Sequence, residues 1–407
     1  MERRRFLMSG AALGCCAAAS PLLTPVAFAA APWDTRLVVI ILRGAMDGLD
    51  VIQPYGDPAL AGLRPNIGVG EAVDAIDLDG FFALHPALAP LHPLWLAGEL
   101  GAVHAVSTPY RDKRSHFDGQ DILEAGLPDL SGGGLRDGWL NRLLQQIPGL
   151  EADVAYAIGR EQMLVLSGDA PAARWSPDAR LNLSPQVRRL LEVVHHGDPL
   201  FQTASADAIA IAEELASDDA IAAAAQTETM MGDSPMMEEV SLSGDHVKLA
   251  EFAAGRLRAD TRIASFSISG WDTHDNQRAN LARALSRLSD TILTLRAGLG
   301  AAWGQTAVLC MTEFGRTARE NGSRGTDHGT GGAMLFAGGA MKGGQVISDW
   351  PGLGEGDLYA GRDLLPTRDI RAHAAWVMRA ATGLPAAAFA GAVFPDLEMG
   401  SDPGLML

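Results

Sequence analysis

TAVLCMTEFGRTARENGSRGTDHGTGGAM, residues 306–334, decides the fold. It opens on a continuous apolar run of strand length, the pattern of a strand covered on both faces. Its character then changes: Glu313, Arg316, Asp327 and His328 follow among six glycines between residues 311 and 334. A strand that ends in clustered polar groups and glycine is how an open α/β sheet builds a ligand site at its carboxyl edge. Three other segments share this build. LVVIILRGAMDGLD (37–50) carries Arg43 and Asp47, RSHFDGQD (114–121) carries Arg114, Ser115 and His116, and GWDTHDNQ (270–277) carries Asp272 and His274. Each follows an apolar run, at 37–42, 101–106 and 261–267 respectively.

Between these runs the period changes to that of helices. Leu281, Leu285, Leu288, Ile292, Leu295 and Leu299 recur at three and four residues and predict an amphipathic helix over 278–299. Residues 89–98, 139–146, 247–256 and 366–382 also read as helices, the last capped by Thr367 or Asp369. Strands alternating with helices predict an α/β sandwich with one site along the carboxyl edge of its sheet. The part from about 171 to 246 differs, with helix-like runs, an alanine-rich stretch and TETMMGDSPMMEE, and reads as a helical insertion.

The N-terminus reads as a targeting segment. Arg3-Arg4-Arg5-Phe6-Leu7 precedes an apolar run at 11–23, and Ala27-Phe28-Ala29 offers a small-residue cleavage site, so residues 1–29 are expected to be a twin-arginine signal peptide. Export by the twin-arginine translocation machinery would place the mature domain, residues 30–407, in the periplasm or outside the cell. The apolar run is too short, and too interrupted by Gly14, Ser20 and Pro21, for a permanent membrane span. Removing the signal takes three arginines and one glutamate, so the net charge moves from −17 to −19. Such a field repels phosphate backbones, which disfavours nucleic acid as a partner. Cys15 and Cys16 leave with the signal, and Cys310, alone in an apolar strand pattern, reads as buried packing.

The chemistry points to a metal or oxyanion site. Asp47, Asp272, His274, Glu313, Asp327 and His328 offer carboxylate and imidazole without thiolate, which suits one or two divalent ions of zinc, manganese, magnesium, iron or calcium. Asp272 and His274, two apart on extended backbone, point to the same side and can share an ion; the other reading is a capped turn. Asp47 likewise reads as a ligand or as a turn cap. Ser115 stands at a helix start with Asp118 three residues on, so it is either a plain cap or a nucleophile or oxyanion contact. Arg43, Arg114 and Arg316 can pair with a tetrahedral anion.

Taken in order, the leader, LRGAMDGLD, RSHFDGQDILEAG, GWDTHDNQ, TEFGRTARENGSRGTDHG and PTRDI resemble a secreted bacterial family, domain of unknown function 1501, of the alkaline phosphatase and sulfatase superfamily. The resemblance covers nearly the whole mature chain. It implies a three-layer sandwich, a central mostly parallel sheet between helical layers. It also implies Asp47 as first metal ligand, Ser115 as nucleophile, Asp272 and His274 as ligands of one metal, Glu313 as the strand-end ligand of a second, and His328 as the last histidine. Two departures stand out: the Asp-to-His spacing in GWDTHD is short, and Phe314 follows Glu313 where histidine is usual. His116 is placed to supply that imidazole and joins Ser115 and Arg316 in the catalytic set, with Arg43, Arg114 and Asp327 for substrate. The implied activity is hydrolysis or transfer of phosphate or sulfate esters, of small molecules or glycans. The alternative is a non-catalytic exported module that keeps its metal for stability or for binding a glycan or envelope partner.

Overall fold

The computed structural model describes residues 31–111, 113–130, 137–177 and 245–407. The expected signal peptide and most of the expected helical insertion, 178–244, lie outside the described residues. The principal elements are β1 (Arg36–Arg43), β2 (Leu100–Ser107), α1 (His116–Ala125), α2 (Trp139–Gln145), β3 (Ala155–Ile158), β4 (Ala173–Trp175), α3 (Asp245–Leu257), β5 (Ile263–Ser269), α4 (Gln277–Leu299), β6 (Thr306–Met311), β7 (Gly332–Ala337), β8 (Val346–Ile347), β9 (Arg368–Asp369) and α5 (Ile370–Thr382). They form one nine-stranded sheet in the order β8-β2-β7-β6-β1-β5-β3-β4, with β9 also paired to β2. The pairs are parallel except for β7, which runs antiparallel to both β2 and β6.

Alternation along β1 builds the layers. Val38, Ile40 and Leu42 face Ala250 and Ala253 of α3 and Leu285 and Leu288 of α4. Leu37, Val39 and Ile41 face Leu140 and Leu143 of α2 and Ala374 and Val377 of α5. Burial on both faces is why this strand is apolar between its terminal arginines, as β6 is after Thr306. The expected three-layer α/β sandwich with a mostly parallel central sheet is the fold observed. No helix among the described residues is long and apolar enough to cross a membrane.

Two expected helices are shorter than their patterns. Over 89–98 the chain forms a 3-10 stretch, Pro86–Leu91, and a single-turn α-helix, His92–Leu96. Pro90 inside the first piece and Pro93 at the start of the second remove backbone donors a continuous helix would need. The terminal helix begins at Ile370, because Arg368 and Asp369 pair with Val106 and Ser107 of β2 and Asp369 caps the helix by accepting from Arg371 N at 2.9 Å.

Register places the site. Arg43 at the end of β1 pairs with Ser269 at the end of β5, and Ile41 with Met311 at the end of β6. The loops 44–47, 270–276 and 312–331 therefore leave the sheet side by side. Ser115 at the start of α1 faces the same edge through His116, which reaches Glu313.

Candidate metal centre

The glycine-rich stretch after β6 is a close-packed fold, not a loose one. Residues 315–317 pair back onto 327–330: Gly315 N donates to Thr330 O at 3.0 Å and Thr317 N to Asp327 O at 2.9 Å, so Arg316 and His328 bridge. A Cβ on Gly329 would fall against the Arg316 backbone, and one on Gly325 against the His274 carbonyl. Only glycine permits these approaches. They bring His328 beside His274.

Three imidazoles converge on Asp272. Its Oδ1 lies 3.0 Å from His274 Nε2 and 3.3 Å from His328 Nε2, and its Oδ2 lies 3.4 Å from His116 Nε2. His274 Nε2 and His328 Nε2 are 2.9 Å apart. On each ring the other nitrogen is held by a protein acceptor. Nδ1 of His116 donates to Glu313 Oε1 at 2.8 Å, Nδ1 of His328 to Arg114 O at 2.8 Å, and Nδ1 of His274 to Asp327 Oδ1 at 3.3 Å. A neutral ring whose Nδ1 carries the proton has its lone pair on Nε2, so all three turn a ligand atom toward the Asp272 carboxylate, His116 on Oδ2 and His274 and His328 on Oδ1. His116 Nε2 is buried without a hydrogen-bond partner. Two lone pairs at 2.9 Å require a cation or a proton between them.

His116, Asp272 and His328 are the group of ligand side chains among the described residues close enough to hold one ion, and the nitrogen and oxygen donors fit a divalent metal. Without an ion the acidic neighbours, Asp272 first and then Glu313, outweigh burial and raise His116 to about 9. Burial works to raise the Asp272 carboxyl, but the facing His116 and His328 imidazoles and the Arg316 guanidinium outweigh it and hold the group well below the usual carboxylate range. Phe314 stacks on His116 at 5.3 Å and 19°, and packs on His328 at 5.3 Å, so it forms an apolar wall where histidine was expected.

The remaining strand-end carboxylates do not reach this point. Glu313 is fully buried behind His116, where its Oε1 also accepts from Gly44 N at 2.9 Å and Gln120 Nε2 at 3.2 Å. Asp47, expected as the first metal ligand, is fully buried in a separate network. Arg64 grips it through Nη1 to Oδ2 at 2.6 Å and Nη2 to Oδ1 at 3.0 Å, and Gln277 Nε2 donates to Oδ2 at 2.6 Å. It also caps a short helix through Leu49 N at 3.2 Å.

The arginines expected to bind substrate are differently engaged. Arg316 is buried and donates to Asp272 Oδ1 at 2.5 Å, Ala45 O at 2.8 Å, Gly44 O at 2.9 Å, Thr326 O at 3.1 Å and Trp271 O at 3.2 Å, tying together three of the loops at the sheet edge. Arg43 pairs with Glu124 and Glu161, both at 2.7 Å, and donates to Gln120 Oε1 at 2.8 Å. Arg114 has an exposed side chain and a backbone φ of 54°, and contributes its carbonyl to His328. Ser115 caps α1, its Oγ accepting from Asp118 N at 3.4 Å, between the residue that holds His328 and the candidate ligand His116.

Gln120, Arg64 and Gln277 were not anticipated. Gln120 follows His116 by four residues on one helix, a spacing that puts both on one face and was legible. Gln277 closes the segment GWDTHDNQ already singled out, whereas Arg64 lies in a stretch with no local signal.

A family model described as protein of unknown function (DUF1501) matches residues 94–378. No curated protein matches the chain. Among solved structures it is similar to a protein in the alkaline phosphatase superfamily from Vibrio parahaemolyticus, at 11% identity and a TM-score of 0.36, covering 78% of this chain and 63% of that one. It is similar to the lipoteichoic acid synthase LtaP from Listeria monocytogenes, at 11% identity and a TM-score of 0.31, covering 72% and 59%. It is also similar to the C-terminal periplasmic domain of EcEptC from Escherichia coli in complex with Zn, at 12% identity and a TM-score of 0.32, covering 75% and 73%. The chain thus aligns with less than two thirds of the length of the first two.

Proposed function

The chain belongs to the DUF1501 family, and from its site we propose that it is an exported metal-dependent hydrolase or transferase of phosphate or sulfate esters. One observation carries the reading: three Nε2 atoms converge on Asp272 while each Nδ1 is held by a protein acceptor. Such an arrangement is costly to build without a ligand, because it crowds three imidazole nitrogens into a half-buried pocket and leaves that of His116 buried without a hydrogen-bond partner. His116, Asp272 and His328 would hold the ion, with His274 as a fourth donor. When bound, the ion supplies a Lewis acid for an ester oxygen.

The chain's own groups do the rest. Glu313, Asp327 and the Arg114 carbonyl fix the three rings, and Arg316 holds Asp272 in place. Phe314 excludes water from one side of His116. Ser115, adjacent to His116, is the proposed nucleophile. Its Oγ forms the new bond to phosphorus or sulfur, the ester oxygen departs, and the serine proton ends on the departing alcohol. Water or an acceptor alcohol then bonds to the same phosphorus or sulfur, the bond to Ser115 Oγ breaks, and the attacking group's proton returns to the serine. The leader at residues 1–29 is the basis for placing this reaction in the periplasm or outside the cell.

Elemental analysis of protein purified without chelating tags, followed by a panel of phosphate and sulfate esters, tests the proposal. Bound ion should fall in both His274→Ala and His328→Ala, and Ser115→Ala should lose turnover while keeping its ion. A Ser115→Ala variant of full activity removes the nucleophile assignment. A second reading, a metal-stabilised binding module for a glycan or envelope partner, is favoured by the engagement of Arg316, whose donors all point at protein acceptors. It predicts bound ion and no turnover across the panel.

A further inference from the structure

We infer that this centre binds a single divalent ion per chain and takes esters of one negative charge, phosphodiesters or sulfate monoesters, in preference to doubly charged phosphate monoesters. The preference among esters rests on the proposed function; the ion count rests on protein groups alone.

Three acidic residues follow the central strands β1, β5 and β6, namely Asp47, Asp272 and Glu313, and two of them are already neutralised or saturated. The Asp47 side chain is 1% exposed and its partner Arg64 0%, with the guanidinium fixed from behind by the Thr317 and Ala318 carbonyls, each at 3.0 Å. A cation therefore already stands against Asp47, covalently part of the chain. An incoming ion would have to expel a buried guanidinium and leave it unpaired, which is among the costliest changes a protein interior can undergo. Glu313 is 0% exposed, and both its oxygens accept protein donors, Oε2 from Thr312 Oγ1 at 3.0 Å. Asp272 alone keeps an accessible carboxylate, 46% exposed, with imidazole nitrogens around it. One ion satisfies that set.

The charge of the loaded centre follows. Arg64 cancels Asp47, Arg316 cancels Asp272, and Arg43 cancels the buried Glu124, while its second partner Glu161 is 54% exposed and belongs with the solvent-screened charges of the rim. Histidines that ligate a metal are neutral. What remains is the doubly positive ion over the single negative charge of Glu313, a net charge of one. On the rim, the exposed cations Lys113 and Arg114 are offset by Asp118 and Asp327 and screened by solvent. A singly charged ester neutralises this site. A doubly charged one leaves an excess negative charge inside a chain that is already strongly acidic.

The test uses the whole protein reconstituted with zinc, and separately with manganese, then freed of excess metal. Ion per chain is read by elemental analysis. Turnover of p-nitrophenyl phosphate, bis(p-nitrophenyl) phosphate and p-nitrophenyl sulfate is read above the second ionisation of phosphate, each as kcat/KM relative to its own uncatalysed hydrolysis. One ion is expected, with an enhancement for a singly charged ester at least about tenfold above that for the doubly charged one, a modest share of what an unbalanced charge costs in a partly screened site. Two ions per chain overturn the count, and a greater enhancement for the doubly charged ester overturns the preference. If one ion binds and no ester turns over, the hydrolase reading fails while the count stands. The preference is then read by calorimetric titration with phenyl sulfate and phenyl phosphate, where tighter phenyl phosphate overturns it.

Discussion

Glu313→Gln separates a metal ligand from a group that only positions one. The substitution keeps the size of the side chain and one carbonyl oxygen. Gly44 N, His116 Nδ1 and Gln120 Nε2 all converge on Oε1, at 2.9, 2.8 and 3.2 Å, so the amide oxygen takes that place. The amide nitrogen then meets Thr312 Oγ1, 3.0 Å from Oε2, and the threonine can accept by turning the proton it shares with Oε2 wholly to Leu42 O at 2.9 Å. Every hydrogen bond survives and one negative charge is lost. Removing an outer partner of a ligating histidine weakens metal affinity by about 10- to 100-fold, which is about 1.4–2.7 kcal/mol. Competition with a chromophoric chelator for zinc measures that loss, and elemental analysis at saturating zinc should still find the wild-type ion count. Unchanged affinity refutes the coupling through His116. An ion missing even at saturation shows that Glu313 itself is a ligand.

Two further outcomes concern stability. Arg64→Met strands the buried Asp47 charge and should cost about 3–5 kcal/mol in urea unfolding, whereas Asp47→Asn with Arg64→Met should recover much of it; a double variant no better than the single one contradicts the pairing. His104 is fully buried, donates or accepts at Gly48 O, Ile52 O and Ala105 N, and burial pushes it down to about 4. Because the folded pKa is depressed, the neutral ring's contribution is complete above pH 6.5 and is lost as pH falls through 4, on the order of 3 kcal/mol. Wild type should therefore lose stability more steeply over that window than His104→Gln, and parallel curves would remove His104 as the cause.

The layers were legible because burial on both faces forces a strand to be apolar at every position. β1 and β6 show that pattern without interruption, and the 3.6 repeat of α4 is equally unbroken. The edge was legible too, since polar groups concentrated after apolar strands have nowhere else to lie in a parallel sheet. His116, Asp272, His274 and His328 meet there.

Rank within the edge was not legible, and the reason is reach. Asp47, Glu313, Arg43 and Arg316 all arrive where strand ends place them, yet each is claimed by a partner that spacing does not announce: Arg64 for Asp47, Gly44 N for Glu313, Glu124 and Glu161 for Arg43, and loop carbonyls for Arg316. A buried charge must be matched, so the question that decides its role is which donor or acceptor is nearest in space. For Asp47 that donor lies 17 residues on in a segment without periodic signal. For Arg316 the acceptors besides Asp272 are backbone carbonyls, which no residue type encodes. The glycines at 325 and 329 are the clue nearest the site: each admits a close backbone approach, Gly325 to the His274 carbonyl and Gly329 to Arg316, and together these bring His274 against His328.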